Sequence, residues 1–275
     1  MTYVLYHANC TDGFGAAYSA WKKLKNTAKY KPVKHGGSLP SIQSNSTVYV
    51  VDFCLTANQI KFLQNKGCEV ITLDHHVTAR VTMKLSNHYV YDVNKSGALI
   101  THEYFHGPGT QSKLIDHISD RDLWTWKLPD TEPILMALDS YPADFEIWAD
   151  LEKNLEKLLH EGEPIMRYRD VLVQRIIDSS KKELIIGNSS GIGCNTSVLQ
   201  SEVCHKLLAE NCSSMFSFCY STFQSNKGEK IKWSLRSNPD RFDVSRLAQQ
   251  FGGGGHKGAA GMVTNIIEPN IRAVK

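Results

Sequence analysis

Apolar residues in the first half of the chain fall into short runs separated by stretches of longer, helical period. Tyr3-Val4-Leu5-Tyr6 reads as a buried strand, and after the Asp12-Gly13 turn the spacing of Phe14, Ala16, Ala17, Ala20, Trp21 and Leu24 predicts a helix. Thr47 to Val51 is β-branched and strand-like, Thr56 follows as a helix N-cap and Gly67 as the stop. Cys68 to Leu73 is a third strand. A helix is expected from Ser96, with Ala98, Leu99, Ile100, Tyr104 and Phe105 as its apolar face, and another through Leu114, Ile115 and Ile118 into Asp120-Arg121-Asp122.

Strand and helix alternate, so the pattern predicts an α/β fold whose first domain, residues 1–144, carries a parallel sheet flanked by helices. Residues 145–182 hold Leu151, Leu155, Leu158, Leu159, Ile165, Val171, Leu172 and Ile176 at mostly helical spacing, interrupted by Gly162 and Pro164, and read as a helical connector. Beyond it, 183–275 reads as a smaller mixed α/β domain: β structure at Leu184 to Ile186 and Gly191 to Val198, a helix at Ser201 to Glu210, strands at Met215 to Phe223 and Ile231 to Arg236, and a helix at Val244 to Phe251.

Composition narrows the function classes. With 275 residues, 41% of them hydrophobic and 21% charged, the chain can bury two cores and is not disordered. A net charge of +3 falls short of the concentrated positive field that holds long duplex nucleic acid, yet suits a small anionic ligand. The seven cysteines, at 10, 54, 68, 194, 204, 212 and 219, form no CxxC pair, so reduced thiols in the cytoplasm are expected. No apolar run reaches the roughly 20 residues of a membrane span, and no signal peptide is read.

The chemistry gathers where strands end. Asp52 follows the Thr47 to Val51 run, Asp74-His75-His76 closes the third strand, and His7 and Asp12 fall in the first strand-to-helix loop. Ligands bind beyond the carboxyl ends of strands in such sheets. Together with Asp120 these residues supply oxygen and imidazole donors for divalent metal ions; two ions about 3.5–4 Å apart can share a carboxylate and activate water for attack on phosphorus. Near the C-terminus, Gly252-Gly253-Gly254-Gly255-His256-Lys257 follows an amphipathic helix and reads as a packed loop whose amides approach an anion. Lys34-His35-Gly36-Gly37 reads as a solvated loop, with phosphate contact as the alternative; Trp124 and Trp126 read as packing residues, with base stacking as theirs.

The chain resembles the DHH phosphoesterases with a C-terminal DHHA1 domain, in the oligoribonuclease, nanoRNase-like branch. The likeness rests on His7-Ala8-Asn9-Cys10-Thr11-Asp12-Gly13, Val51-Asp52, Asp74-His75-His76, Ile118-Ser119-Asp120 and Gly253-Gly254-Gly255-His256-Lys257-Gly258-Ala259-Ala260-Gly261, in the family's order over nearly the whole chain. The resemblance implies that Asp52 bridges two manganese ions, with magnesium or cobalt as substitutes, His7 on one side and Asp12, His75 and Asp120 on the other. It implies that His76 touches substrate phosphate, that Asp74 orients the imidazoles, and that Gly253, Gly254, Gly255 and His256 bind phosphate with Arg236 as a basic companion. One position departs from the pattern. Where many members carry a carboxylate, this chain has Cys10, which either ligates as thiolate and favours a softer ion or leaves that metal weakly held. The fourth motif offers Asp116, Asp120 and Asp122; Asp120 fits best and Asp122 is the substitute, its other reading a salt bridge with Arg121.

The function expected from the resemblance is metal-dependent hydrolysis of short single-stranded oligonucleotides or dinucleotide phosphodiesters to nucleoside monophosphates. The alternatives are a polyphosphate or pyrophosphate hydrolase and a nucleotide-binding relative without catalysis. No membrane partner or long duplex is expected, and a homodimer is compatible.

Overall fold

The computed structural model describes residues 1–34, 37–226 and 228–274, which form two compact units, Met1–Met166 and Arg167–Lys275. His35 and Gly36 of the Lys34 to Gly37 segment lie outside the described residues.

Unit 1 is built on five parallel strands, β1 (Thr2–His7), β2 (Ala28–Val33), β3 (Thr47–Val51), β4 (Glu69–Asp74) and β5 (His88–Tyr91), in the order β2-β1-β3-β4-β5. Its strands read as continuous apolar runs because both faces are covered. Val4, Val51, Ile71 and Leu73 pack on one face against α1 (Thr11–Leu24), α3 (Gly97–His106), α4 (Lys113–Asp122) and α5 (Thr131–Leu138). Tyr3, Leu5, Val48, Val50 and Val70 face the other way, against Ile60 and Leu63 of α2 (Ala57–Asn65). Thr56 caps α2 through a reciprocal exchange with Gln59, a motif that contributes about 0.5–2 kcal/mol.

The boundary between the units falls inside the helical segment 145–182, whose residues also pack into the cores on either side of it. In α6 (Phe145–Lys153), Phe145 stacks on Phe14 and Trp21 at 4.9 and 5.4 Å, and Trp148 meets Phe14 edge-on at 4.7 Å. Each such pair is worth about 0.5–1.5 kcal/mol beyond the area it buries. Helix α7 (Leu155–Ser180) runs unbroken through Gly162 and Pro164. Gly162 is a contact point rather than a break, since a Cβ there would stand 1.9 Å from the carbonyl oxygen of Pro133.

Unit 2 is a seven-stranded mixed sheet in the order β10-β11-β9-β8-β7-β6-β12, from β6 (Lys182–Ile186), β7 (Ser189–Asn195), β8 (Phe216–Ser225), β9 (Gly228–Arg236), β10 (Gly254–His256), β11 (Ala259–Asn265) and β12 (Ile271–Ala273). Phe216, Phe218, Trp233, Leu235 and Met262 pack under α9 (Val244–Gln249). On the opposite face Cys194, Cys219 and Ile192 pack under α8 (Gln200–Glu210), together with Val173 and Ile177 from the end of α7. The glycine run is part turn and part hairpin strand: Gly252 and Gly253 lead out of α9, and Gly254 to His256 pair antiparallel with Gly261 to Ala259.

Candidate metal centre

The order of the first sheet reverses between β1 and β3, and a crevice opens beyond the carboxyl ends of strands at such a reversal. His7 ends β1 and Asp52 follows β3 directly, so the topology alone brings them together. The two oxygens of Asp52 face opposite ways: Oδ2 lies 3.5 Å from His7 Nδ1 and Oδ1 lies 3.5 Å from His75 Nε2. Asp52 is only 1% exposed, yet both its oxygens and His7 Nδ1 lack a hydrogen-bond partner. Buried polar atoms of this kind are costly unless something else satisfies them.

Asp52 holds this position in a left-handed backbone conformation, φ 62°, which is strained for any residue with a side chain. The strain is accommodated by Gly97 at the start of α3. A Cβ on Gly97 would lie 2.5 Å from the Asp52 Cβ, so only glycine permits the approach. The same helix end receives Asp12: its carboxylate accepts the amides of Gly97 and Ala98 at 2.7 and 3.0 Å, where the helix dipole favours negative charge.

Asp74 organises the next strand end. Its Oδ1 accepts the amides of His75 and His76 and the Nδ1 proton of His76, the last at 2.7 Å. Burial opposes a charge on His76, but Asp74, Asp52 and Asp122 outweigh it and raise its pKa to about 9. Its ring is one-third exposed, so a cationic donor stands at the solvent edge of the site.

The structure does not bring Asp120 to this cluster. Its carboxylate accepts from the hydroxyls of Thr125 and Thr131 and the amides of Lys127 and Leu128, fixing the loop after α4. Burial works against ionisation there, but those four donors prevail and lower the pKa. Asp122, two residues on, places Oδ2 at 3.5 Å from His75 Nε2. Arg121 is not its partner: the guanidinium forms a two-pronged bridge to Asp139 at 2.7 and 3.1 Å and donates to Thr11.

Three overlapping groups therefore offer ligand atoms within 4.8 Å of one another: His7, Cys10 and Asp52; Asp12, His75 and Asp122; and Asp52, Asp74, His75 and His76. The donor set, rich in carboxylate and imidazole with one thiol, fits divalent cations, and the unsatisfied atoms of His7 and Asp52 fit a charge placed between the first two groups. The electrostatics agree. Burial, then the charges of Asp52 and Asp122, hold Asp12 well above the ordinary carboxylate range. Burial, then Asp52 and Asp12, push the Cys10 thiol upward, the nearby Gly13 amide working the other way. A cation relieves this crowding of negative groups.

Two features near the site escaped sequence reasoning. Trp124 and Trp126 both have left-handed backbones, φ 57° and 50°, and sit edge to face at 4.9 Å. Trp124 is 47% exposed rather than packed in a core, two residues beyond Asp122.

In unit 2, β-sheet register sets His256, Ala259 and Arg236 side by side on three adjacent strands, on the face covered by α8. The Arg236 guanidinium donates to Ser201 Oγ at 2.9 Å and to the Leu235 carbonyl. Burial, then Arg236, hold His205 down to about 4. The amides of Gly252 and Gly253 already donate to the carbonyls of Gln249 and Ala248, so Gly253 does not offer its N–H to an anion; Gly254 and Gly255 lie in the edge strand.

No family model matches the chain. It is 31% identical over 289 aligned residues to the uncharacterized protein R106 of Acanthamoeba polyphaga mimivirus, a match covering 96% of this chain and 68% of that protein. The chain belongs to the R106 family. The fold of this R106-family chain is also that of the pGpG-specific phosphodiesterase PggH from Vibrio cholerae, with a TM-score of 0.52 at 15% identity over 96% of this chain and 93% of that one. An exopolyphosphatase-related protein from Bacteroides fragilis superposes with a TM-score of 0.49, at 15% identity over 95% and 86% of the two chains. Among the described residues, no helix is long and apolar enough to cross a membrane.

Proposed function

We propose that this protein is a DHH-type phosphoesterase that depends on two divalent ions and hydrolyses short oligonucleotides or dinucleotide phosphodiesters to nucleoside monophosphates. One observation carries the reading: Asp52 is buried, strained and unsatisfied at both oxygens, with a ligand group on either side of it. His7 and Cys10 would hold one ion, and Asp12, His75 and Asp122 the other, with Asp52 between them. When bound, such ions supply a water of lowered pKa and positive charge beside the phosphoryl oxygens.

The remaining work belongs to the chain. Asp74 fixes His76 through its Nδ1 proton; with a pKa near 9 the ring is cationic at neutral pH and suited to a non-bridging phosphate oxygen. Asp12 and Asp74 each tie a site residue to backbone amides, so the donors are held in place before substrate arrives. Trp124 supports a nucleotide substrate over a bare polyphosphate, because an exposed indole held by a strained backbone offers a stacking face for a base. PggH, which shares the fold, is named for a dinucleotide, in keeping with this reading. Arg236 and His256 lie two strands apart in register in unit 2, an arrangement suited to binding an anion.

The test is a manganese-supplemented panel of di- to pentanucleotide RNAs, linear and cyclic dinucleotides and polyphosphate, analysed by product mass. Nucleoside monophosphate release that disappears in Asp52→Asn is expected. Release of inorganic phosphate from polyphosphate alone, or turnover unaffected by that substitution, overturns the proposal.

A further inference from the structure

The two sides of Asp52 are chemically unlike. His7, Cys10 and Asp52 present nitrogen, sulfur and oxygen, whereas Asp12, His75 and Asp122 present oxygen, nitrogen and oxygen. Resting on the metal-dependent reading above, we infer that Cys10 is an ion ligand and sorts the two ions by hardness: a borderline, zinc-like ion on the His7 and Cys10 side, and a harder ion such as manganese or magnesium on the Asp12 and Asp122 side.

The position of Cys10 argues for this. It is the N-cap of α1, a place where serine, threonine, aspartate and asparagine serve because a side-chain oxygen accepts an amide of the first turn. Cysteine is a poor acceptor: its sulfur lies near the Gly13 amide of the first turn but makes no cap hydrogen bond there. The sulfur is also grouped with His7 and Asp52, whose Nδ1 and carboxylate oxygens are buried without hydrogen-bond partners. By contrast, Cys54, Cys68, Cys212 and Cys219 direct their thiols at backbone carbonyls, the ordinary fate of a structural cysteine. Thiolate ligation selects zinc-like ions, and carboxylate-rich sites suit manganese and magnesium. Binding at Cys10 releases the thiol proton to solvent.

Cobalt(II) chloride titrated into the full-length protein tests this without reference to turnover. Two bound equivalents and a near-ultraviolet thiolate-to-cobalt charge-transfer band are expected, the band vanishing in C10S and C10D while the weaker visible cobalt bands remain. Competition between zinc and manganese should show the zinc preference of C10D lowered by at least the roughly 10- to 100-fold that loss of even an outer partner produces at a metal site. Zinc should also shield Cys10 of the unaltered protein from iodoacetamide, read by peptide mass, which keeps the result independent of how the variants fold. Two bound cobalt ions without the band, a band retained in C10S, or alkylation of Cys10 at full rate with zinc bound would each overturn the thiolate ligand and leave the metal-dependent reading standing. Failure to bind any ion overturns both.

Discussion

Asp122 Oδ2 lies 3.5 Å from His75 Nε2, while Asp120, two residues earlier on the same helix, spends its carboxylate on four donors of the following loop. The two aspartates should therefore fail in different ways. Asp122→Asn should abolish metal-dependent turnover and, in metal-free protein, raise the melting temperature, since it removes one of three crowded negative charges. Asp120→Asn should lower the melting temperature through loss of a charged acceptor, about 1.5–3 kcal/mol for such a hydrogen bond, while ion stoichiometry by elemental analysis is retained. The opposite pattern would return the ligand role to Asp120.

His76 gives a pH dependence with a defined sign. Its pKa is raised from 6.5 to about 9 in the metal-free protein, so its contribution to stability is fully present below 6.5 and is lost as pH rises through about 9. Denaturant unfolding in the presence of chelator should show stability falling over that window. In Asp74→Asn the imidazole titration followed by NMR should move back toward the ordinary histidine range. A His76 ring that titrates near 6.5 in the unaltered protein would refute the pairing.

Glu152 predicts the behaviour at low pH. Its carboxylate accepts Tyr18 Oη at 2.7 Å, Lys22 Nζ at 2.8 Å and Ser112 Oγ. Burial opposes its charge, but Lys22, Ser112 and Tyr18 outweigh that and lower the pKa. The stabilisation it gives is present above 4.5 and lost as pH falls through its depressed folded pKa. Glu152→Gln should remove this limb of the acid unfolding curve and cost about 1.5–3 kcal/mol at neutral pH, with no change in ion binding. An unchanged acid limb would show that the network contributes nothing.

Trp124 should act on substrate binding. Trp124→Ala should raise KM for a dinucleotide by the equivalent of about 1–3 kcal/mol of stacking, with kcat little altered. Trp124→Gly should do the same and be the more stable of the two, because glycine adopts the left-handed backbone without strain. An unchanged KM in both variants would remove the base-stacking role.

The sheet of unit 1 was legible because strands buried on both faces, such as Val48 to Val51 and Val70 to Leu73, leave continuous apolar runs between helical periods. A residue just beyond such a run lies at the carboxyl edge by topology, which is why His7, Asp52 and His75 stand out as a joint pattern though each alone says little. Asp120 and Asp122 could not be separated in that way. Both lie in the last turn of α4, and the outcome depends on Thr125, Lys127, Leu128 and Thr131 folding back on one of them and on Arg121 reaching Asp139. The break expected at Gly162 and Pro164 failed for a similar reason: a glycine needed for close approach to Pro133 has the same letter as one that ends a helix. The glycine run misled because edge-strand pairing with Ala259 to Gly261 leaves no trace in hydrophobic period. The left-handed tryptophans have no local signal, since bulky residues rarely take that conformation.

Gly97 serves two aspartates at once, making room for Asp52 and donating its amide to Asp12. A single side chain at that position would unseat a residue in the first turn of α1 and another just beyond β3 together, although neither is near it in the sequence. One donor atom can thus replace another without moving the backbone, whereas a side chain at Gly97 would displace two carboxylates at a stroke.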